Sequence, residues 1–217
     1  MFAPFLANDA LELNKARLDH LASLNLSLEY KKVLEVGAGI GLLTPFFLER
    51  RCTVLSVDAR SDNTEELRKR IPYANAQVVN LDTAYELTSL GLFDMVFAYG
   101  IIYHLQFPKQ ALKLLATICM EMIIVESLVT VSDEDALNSV EEDSKIYTQS
   151  YRGYGCRPTS QWFMHKLNKY FGHAYITTTV PNHKDFKHSE IGGTKRAVFV
   201  GSKVPIINKF LSTSLGS

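Results

Sequence analysis

Val33-Leu34-Glu35-Val36-Gly37-Ala38-Gly39-Ile40-Gly41 is an apolar run that breaks into three glycines at alternate positions, with an acid two residues before the first. Glycine carries no Cβ, so such a turn brings backbone close to a ligand and leaves room for a nucleoside-sized molecule. A dinucleotide fingerprint wants its last glycine at the sixth position, and Leu42 stands there instead. Roughly twenty residues past Gly37, Thr53-Val54-Leu55-Ser56-Val57-Asp58 ends in an acid, where α/β nucleotide sites hold a carboxylate against ribose hydroxyls. An Asp closing a strand also caps turns and helices, and only the pairing with the glycine turn favours a ribose ligand. Further on, Tyr103-His104 follows another apolar run, and imidazole titrates near neutral pH as a general base must. The plainer reading is that His104 orients Tyr103 or satisfies a carbonyl. Glu126, at the end of a fifth apolar run, suits acceptor binding or assistance to His104, against simple solvation of a strand end.

These residues need a frame. Apolar residues at helical spacing predict a lead-in helix over 8–26, capped by Asn8 or Asp9, and Arg17 on it is placed to fold over the site. A helix over 42–51 tolerates Pro45 in its first turn. Strands are predicted over 53–58, 76–80, 93–99 and 122–125, with helices over 62–70 and 108–119 between them. Alternation of this kind argues for parallel β-α-β units. The rhythm breaks over 128–157, which is acidic and then rich in Tyr and Gly. Pro158-Thr159-Ser160-Gln161-Trp162 opens a helix that runs to about residue 171, with Trp162 as a core anchor. A strand over 173–180, a second insertion over 181–194 and a last strand over 197–201 complete the chain.

The 217 residues are 47% hydrophobic and 21% charged, the balance of a soluble globular chain with one sizeable core. One domain over 1–217 is the expectation, with 1–30 as the lead-in and 128–157 and 181–194 as insertions on the acceptor side. No basic leader precedes a long apolar run, and Glu121 interrupts the most apolar stretch, so a cytoplasmic protein without a membrane span is expected. Cys52, Cys119 and Cys156 form no metal-ligand pattern, and no metal is expected. The closing Gly216-Ser217 pair is consistent with a cloning remnant. Charge is balanced overall but not along the chain: residues 1–144 hold 12 Lys and Arg against 21 Asp and Glu, and residues 145–217 hold 11 against 2. Acids crowd 133–143, which reads as a solvated face or loop. A basic last third suits an anionic acceptor, with Arg152, Arg157 and His183 of the insertions as substrate-binding candidates.

The E-x-G-x-G-x-G turn, Asp58 and the ordered strands resemble the cofactor half of class I S-adenosylmethionine (SAM) dependent methyltransferases over residues 33–127. The resemblance implies a Rossmann-like α/β fold: a seven-stranded, mostly parallel sheet, its last strand antiparallel, with helices on both faces. It implies SAM as cofactor and S-adenosylhomocysteine (SAH) as product. Carried over, Glu35, Gly37, Ala38, Gly39 and Gly41 meet the methionine moiety, Asp58 the ribose and Asp82 the adenine amino group. Leu81 and Ala59 flank the adenine, and Tyr99 and Gly100 belong to the segment that takes the methionine ammonium. Arg17 on the lead-in helix is placed to pair with the cofactor carboxylate, against the plainer reading of an exposed arginine on an amphipathic helix. Tyr103 and His104 face the acceptor. Asp82 serves equally as a helix cap. Y-H-x-x-x-P at 103–108 is similar in part to tRNA uridine carboxymethyltransferase, and Gly155-Cys156-Arg157-Pro158-Thr159-Ser160-Gln161-Trp162 resembles a G-C-R-P-T-x-x-W signature of uncharacterised bacterial methyltransferases. The implied reaction is in-line methyl transfer to a small polar or anionic metabolite or a glycan. An RNA methyl- or carboxymethyltransferase is the alternative, opposed by the neutral balance of 23 basic and 23 acidic residues. A catalytically silent SAM-binding module is a further alternative. The sequence gives no oligomeric state.

Overall fold

The computed structural model describes residues 2–83, 85–187 and 189–215, so the Gly216-Ser217 pair lies outside the described residues. Parallel strands β1 (Lys32–Val36), β2 (Thr53–Asp58), β3 (Asn75–Val78), β4 (Phe93–Tyr99) and β5 (Cys119–Thr130) are followed by β6 (Leu137–Glu141), β7 (Tyr154–Pro158), β8 (His173–Thr177), β9 (Thr194–Ser202) and β10 (Leu211–Ser212). The main sheet runs β10-β8-β9-β5-β4-β1-β2-β3, with β9 antiparallel to both β5 and β8. The expected α/β sheet is therefore present, with one strand more than expected. β10 is two residues long and pairs antiparallel with β8 at the edge, too short to show any period in sequence.

Helices α1 (Ala3–Leu6), α2 (Asn8–Ser23), α3 (Thr44–Leu48), α4 (Ser61–Arg70), α5 (Pro108–Ile118) and α6 (Ser160–Phe171) surround the sheet. The period of two in the strands divides the core. Val96, Ala98, Ile123 and Val125 join Leu112 and Leu115 of α5 and Phe163 and Leu167 of α6 on one face. Met95, Phe97, Met122 and Ile124 join Leu13 and Leu21 of α2 and Phe46 and Phe47 of α3 on the other. All three cysteines are buried and free. Among the described residues, no helix is long and apolar enough to cross a membrane, and no group of three or more His, Cys, Asp or Glu is placed to hold a metal.

Local chemistry sets the ends. α2 begins after Ala7 with no side-chain cap, so neither Asn8 nor Asp9 plays the capping role expected of it. The Thr159 hydroxyl accepts from the Trp162 N–H at 3.2 Å and starts α6, a bond whose loss costs about 1 kcal/mol at a typical helix start. Several boundaries move: α2 ends at Ser23, α3 shortens to Thr44–Leu48, β8 ends at Thr177 and β9 begins at Thr194. β5 continues to Thr130 because Ser127–Thr130 pair with Thr194–Ala197 of β9, so Glu126 lies inside the strand and not at its end. The segment expected to be an excursion beyond residue 128 contains that strand end and the β6–β7 hairpin, a separate two-stranded sheet. Gly155 shows why the hairpin lies so close to the 3-10 turn Ile102–His104: a Cβ there would stand 2.6 Å from the Tyr103 carbonyl oxygen.

Candidate active site

The carboxyl ends of β1, β2 and β4 open on one cavity of about 420 Å³. Its wall includes Gly37, Ala38 and Gly39 from the turn after β1, Asp58 and Ala59 from the end of β2, Leu81 and Asp82 beyond β3, and Tyr99, Gly100, Tyr103 and His104 after β4. Arg17 reaches it from α2, so twelve of the residues expected from sequence meet here. Gly37 explains the turn. Its φ is +69°, and a Cβ would lie 2.6 Å from Ile101 Cβ, so any side chain is both strained and excluded.

Asp58 is held by protein groups as well as facing the cavity. Oδ2 accepts from the Gly39 N–H at 2.9 Å, and Oδ1 accepts from the Arg60 N–H at 2.9 Å and the Asn63 amide at 3.1 Å. Burial raises its pKa above the ordinary carboxylate value, and those donors oppose the rise. The turn-closing reading and a position on the cavity wall thus coexist in one side chain. Asp82 receives the N–H groups of Phe107 (2.8 Å) and Gln106 (3.2 Å), tying the β3 end to the start of α5.

Glu35 and Gly41 stand outside the cavity wall. Glu35 is buried behind the turn, where its Oε2 accepts the hydroxyls of Thr44 (2.7 Å) and Ser56 (2.6 Å). Burial pushes its pKa up to about 7 despite those donors. It braces α3 against β2, and the expected ligand contact gives way to that role. Glu126 also departs from expectation. Fully buried, it is gripped by Arg17 Nη2 at 2.5 Å and Arg196 Nη1 at 3.0 Å, and its hydrogen bonds among the described residues go to these two guanidiniums and not to His104. Arg196 Nη1 further donates to the Tyr103 hydroxyl at 3.2 Å, and its Nε donates to Asp185 at 3.1 Å. Two guanidiniums thus flank one carboxylate beside the cavity.

The partner of His104 is Glu142, whose side chain is 4% exposed: Nδ1 lies 2.5 Å from Oε2. The same oxygen accepts the Ser150 N–H at 2.8 Å, and Oε1 accepts Arg157 Nη1 at 3.1 Å. Burial opposes ionisation of Glu142, but His104, Ser150 and Arg157 together outweigh it and hold the pKa below the ordinary value. Arg157 therefore faces inward, onto Glu142 and the Tyr103 carbonyl, and does not line the cavity. Arg152 is exposed and likewise absent from the wall. His183 lines a different cavity with His20 and Phe210, between Asp9 and Asp185. The three expected acceptor ligands are thus not brought together.

Residues that sequence reasoning did not select complete the wall. Asn14 and Phe5 come from the first two helices, Arg196 from β9, and Tyr147 and Tyr151 from the loop between β6 and β7. Arg60 fastens that loop: its Nη2 reaches the Ser144 carbonyl at 2.9 Å and the Ser150 carbonyl at 3.3 Å, and its guanidinium lies over both tyrosine rings. Tyr147 donates to Asp62 at 2.6 Å. Glu142 was hidden by its neighbours, since an acid among acids reads as solvated surface. The Tyr and Gly content of the loop was the one signal that it does more.

A sequence profile of the family described as Methyltransferase domain matches residues 33–120, the stretch that carries the glycine turn, Asp58, Asp82 and His104. No curated protein matches the chain in sequence. Among solved structures, the N-terminal domain of EvdMO1, determined in the presence of SAH and D-fucose, is similar with a TM-score of 0.70 and 17% identity, over 90% of this chain and 84% of that one. Magnesium protoporphyrin IX methyltransferase from Synechocystis PCC 6803 with bound SAM gives 0.56 and 12%, over 88% and 78%. A possible histamine N-methyltransferase from Thermotoga maritima gives 0.59 and 18%, over 94% and 98%. The fold is thus the one found in solved SAM-dependent methyltransferases, and the methyltransferase-domain match covers residues 33–120 of this chain.

Proposed function

We propose that this enzyme binds SAM in the cavity and transfers its methyl group to a hydroxyl of a small polar or anionic acceptor, sugars included. One observation carries the reading: the glycine turn, Asp58, Asp82 and the Tyr103-His104 pair all border the same space at the carboxyl edge of the sheet. The residues suit the cofactor. Arg17 Nε and the Tyr99 hydroxyl are buried polar groups on the cavity wall with no hydrogen-bond partner among the described residues. Buried donors of this kind call for an acceptor from a ligand. The carboxylate of the cofactor would supply one to the Arg17 guanidinium. Asp58 would hold the ribose.

The cofactor brings a methyl group already activated by its sulfonium, so the protein has to position the acceptor and remove its proton. His104 borders the cavity and serves as the base. Sugars belong among the acceptors because the similar EvdMO1 domain was determined with D-fucose, and because hydroxyls need the proton removal that an imidazole provides. Incubation with methyl-labelled SAM and a panel of sugars, hydroxy acids, amines and RNA tests this reading. Label on a hydroxyl of a small acceptor supports it. Label on RNA or amines alone, or SAH binding without any transfer, contradicts it.

A further inference from the structure

The acid in contact with His104, Glu142, stands just past the end of β6 and not in the main sheet. We infer that Glu142 is the positioning residue that makes His104 a base, and that it is held in place by Arg60 through the loop over residues 142–153. The inference rests on the methyl-transfer reading above and deepens it. With Nδ1 donating to the Glu142 carboxylate, the proton of neutral imidazole is committed to that nitrogen, leaving Nε2 with its lone pair. Among the described residues Nε2 has no hydrogen-bond partner, while the ring itself borders the cavity. Both carboxylate oxygens of Glu142 are engaged by donors, Ser150 N–H and Arg157 beside His104, so its own rotamer is fixed.

In the step this arrangement serves, Nε2 takes the proton of the acceptor hydroxyl as that oxygen bonds to the methyl carbon. The carbon's bond to sulfur breaks with its electron pair left on sulfur. Positive charge appears on the imidazole as it leaves the sulfonium, and the Glu142 carboxylate lies against it. The triad logic of a base oriented by an acid is the same, although the acid here arrives on a hairpin loop.

A continuous chain of contacts links the latch to the base. Arg60 Nη2 binds the Ser150 carbonyl, the Ser150 N–H binds Glu142 Oε2, and that oxygen binds His104 Nδ1. The Ser150 hydroxyl donates to the Tyr154 carbonyl at 2.6 Å, pinning the same residue to β7. Arg60 stands two residues past Asp58, and its own N–H is bound by that carboxylate. Latch, base and ribose-facing acid are therefore built on neighbouring turns.

The test is ¹⁵N NMR of the histidine rings in wild-type protein, Glu142→Ala, Glu142→Asp and Arg60→Ala, at a pH where His104 is neutral, with SAH titrated into each sample. The wild type should show His104 protonated at Nδ1. Glu142→Ala should lose that signature, Glu142→Asp should restore part of it, and Arg60→Ala should weaken it without altering any atom that touches the ring. Wild-type His104 protonated at Nε2, or a signature unmoved by Glu142→Ala, overturns the role of Glu142. A signature unmoved by Arg60→Ala overturns the role of the latch. The tautomer requires no turnover, so failure of wild-type protein to bind SAH would contradict the methyl-transfer reading separately.

Discussion

Arg17 on α2 and Glu126 inside β5 form a buried ion pair, Nη2 to Oε2 at 2.5 Å, which fastens the first long helix to the middle of the sheet at the edge of the cavity. Arg196 of β9 closes the other side of the same carboxylate. Removing one partner of such a group strands the others without solvent. Glu126→Ala should therefore cost about 3–5 kcal/mol of stability in urea denaturation. A loss below about 1 kcal/mol, the range of exposed pairs, would show that water reaches both guanidiniums.

Stability should depend on pH through Glu35. In the unfolded chain this group ionises near 4.5, and in the folded state burial pushes its pKa up to about 7. Between those values the folded state binds one proton more than the unfolded state, so stability falls as pH rises. Full integration gives on the order of 3 kcal/mol, present below pH 4.5 and lost by pH 7. Denaturant midpoints taken across this window should flatten in Glu35→Gln relative to wild type. Parallel curves for the two proteins would show that Glu35 does not set the slope.

Gly37→Ala should combine left-handed backbone strain with a clash against Ile101. The first costs about 1–2 kcal/mol, and the Cβ contact adds to it because it meets a branched carbon close to the main chain. A loss of more than about 2 kcal/mol together with weaker SAH binding is expected, measured by thermal melts and calorimetry. Wild-type stability in this variant would mean the turn relaxes at no cost.

Much of this arrangement was legible because the parallel strands carry strong local signals. The boundaries of β2 and β4 follow from β-branched and apolar runs, and Asp58 and the glycines occupy fixed places at strand ends. The pieces that escaped depend on contacts distant in sequence. Glu126 reads as a strand end because Glu126 and Ser127 together interrupt the apolar run, and only pairing with β9 extends the strand past them. His104 and Glu142 are 38 positions apart, joined by a hairpin whose acids look like surface. Arg157 carries a positive charge that suited an acceptor, but its partner proved to be the same Glu142. Charge counted along the chain cannot tell a guanidinium spent on an internal carboxylate from one offered to a ligand.

The central claim is that the cavity beside Asp58 holds SAM, and calorimetric titration of SAH into wild-type protein and Asp58→Ala measures it most directly. Wild-type protein should bind SAH, NADH should produce no heat, and Asp58→Ala should weaken SAH by about 1–3 kcal/mol, roughly tenfold to a hundredfold, while remaining folded by circular dichroism. Absence of SAH binding to the wild type, or an affinity indifferent to Asp58→Ala, would contradict the account.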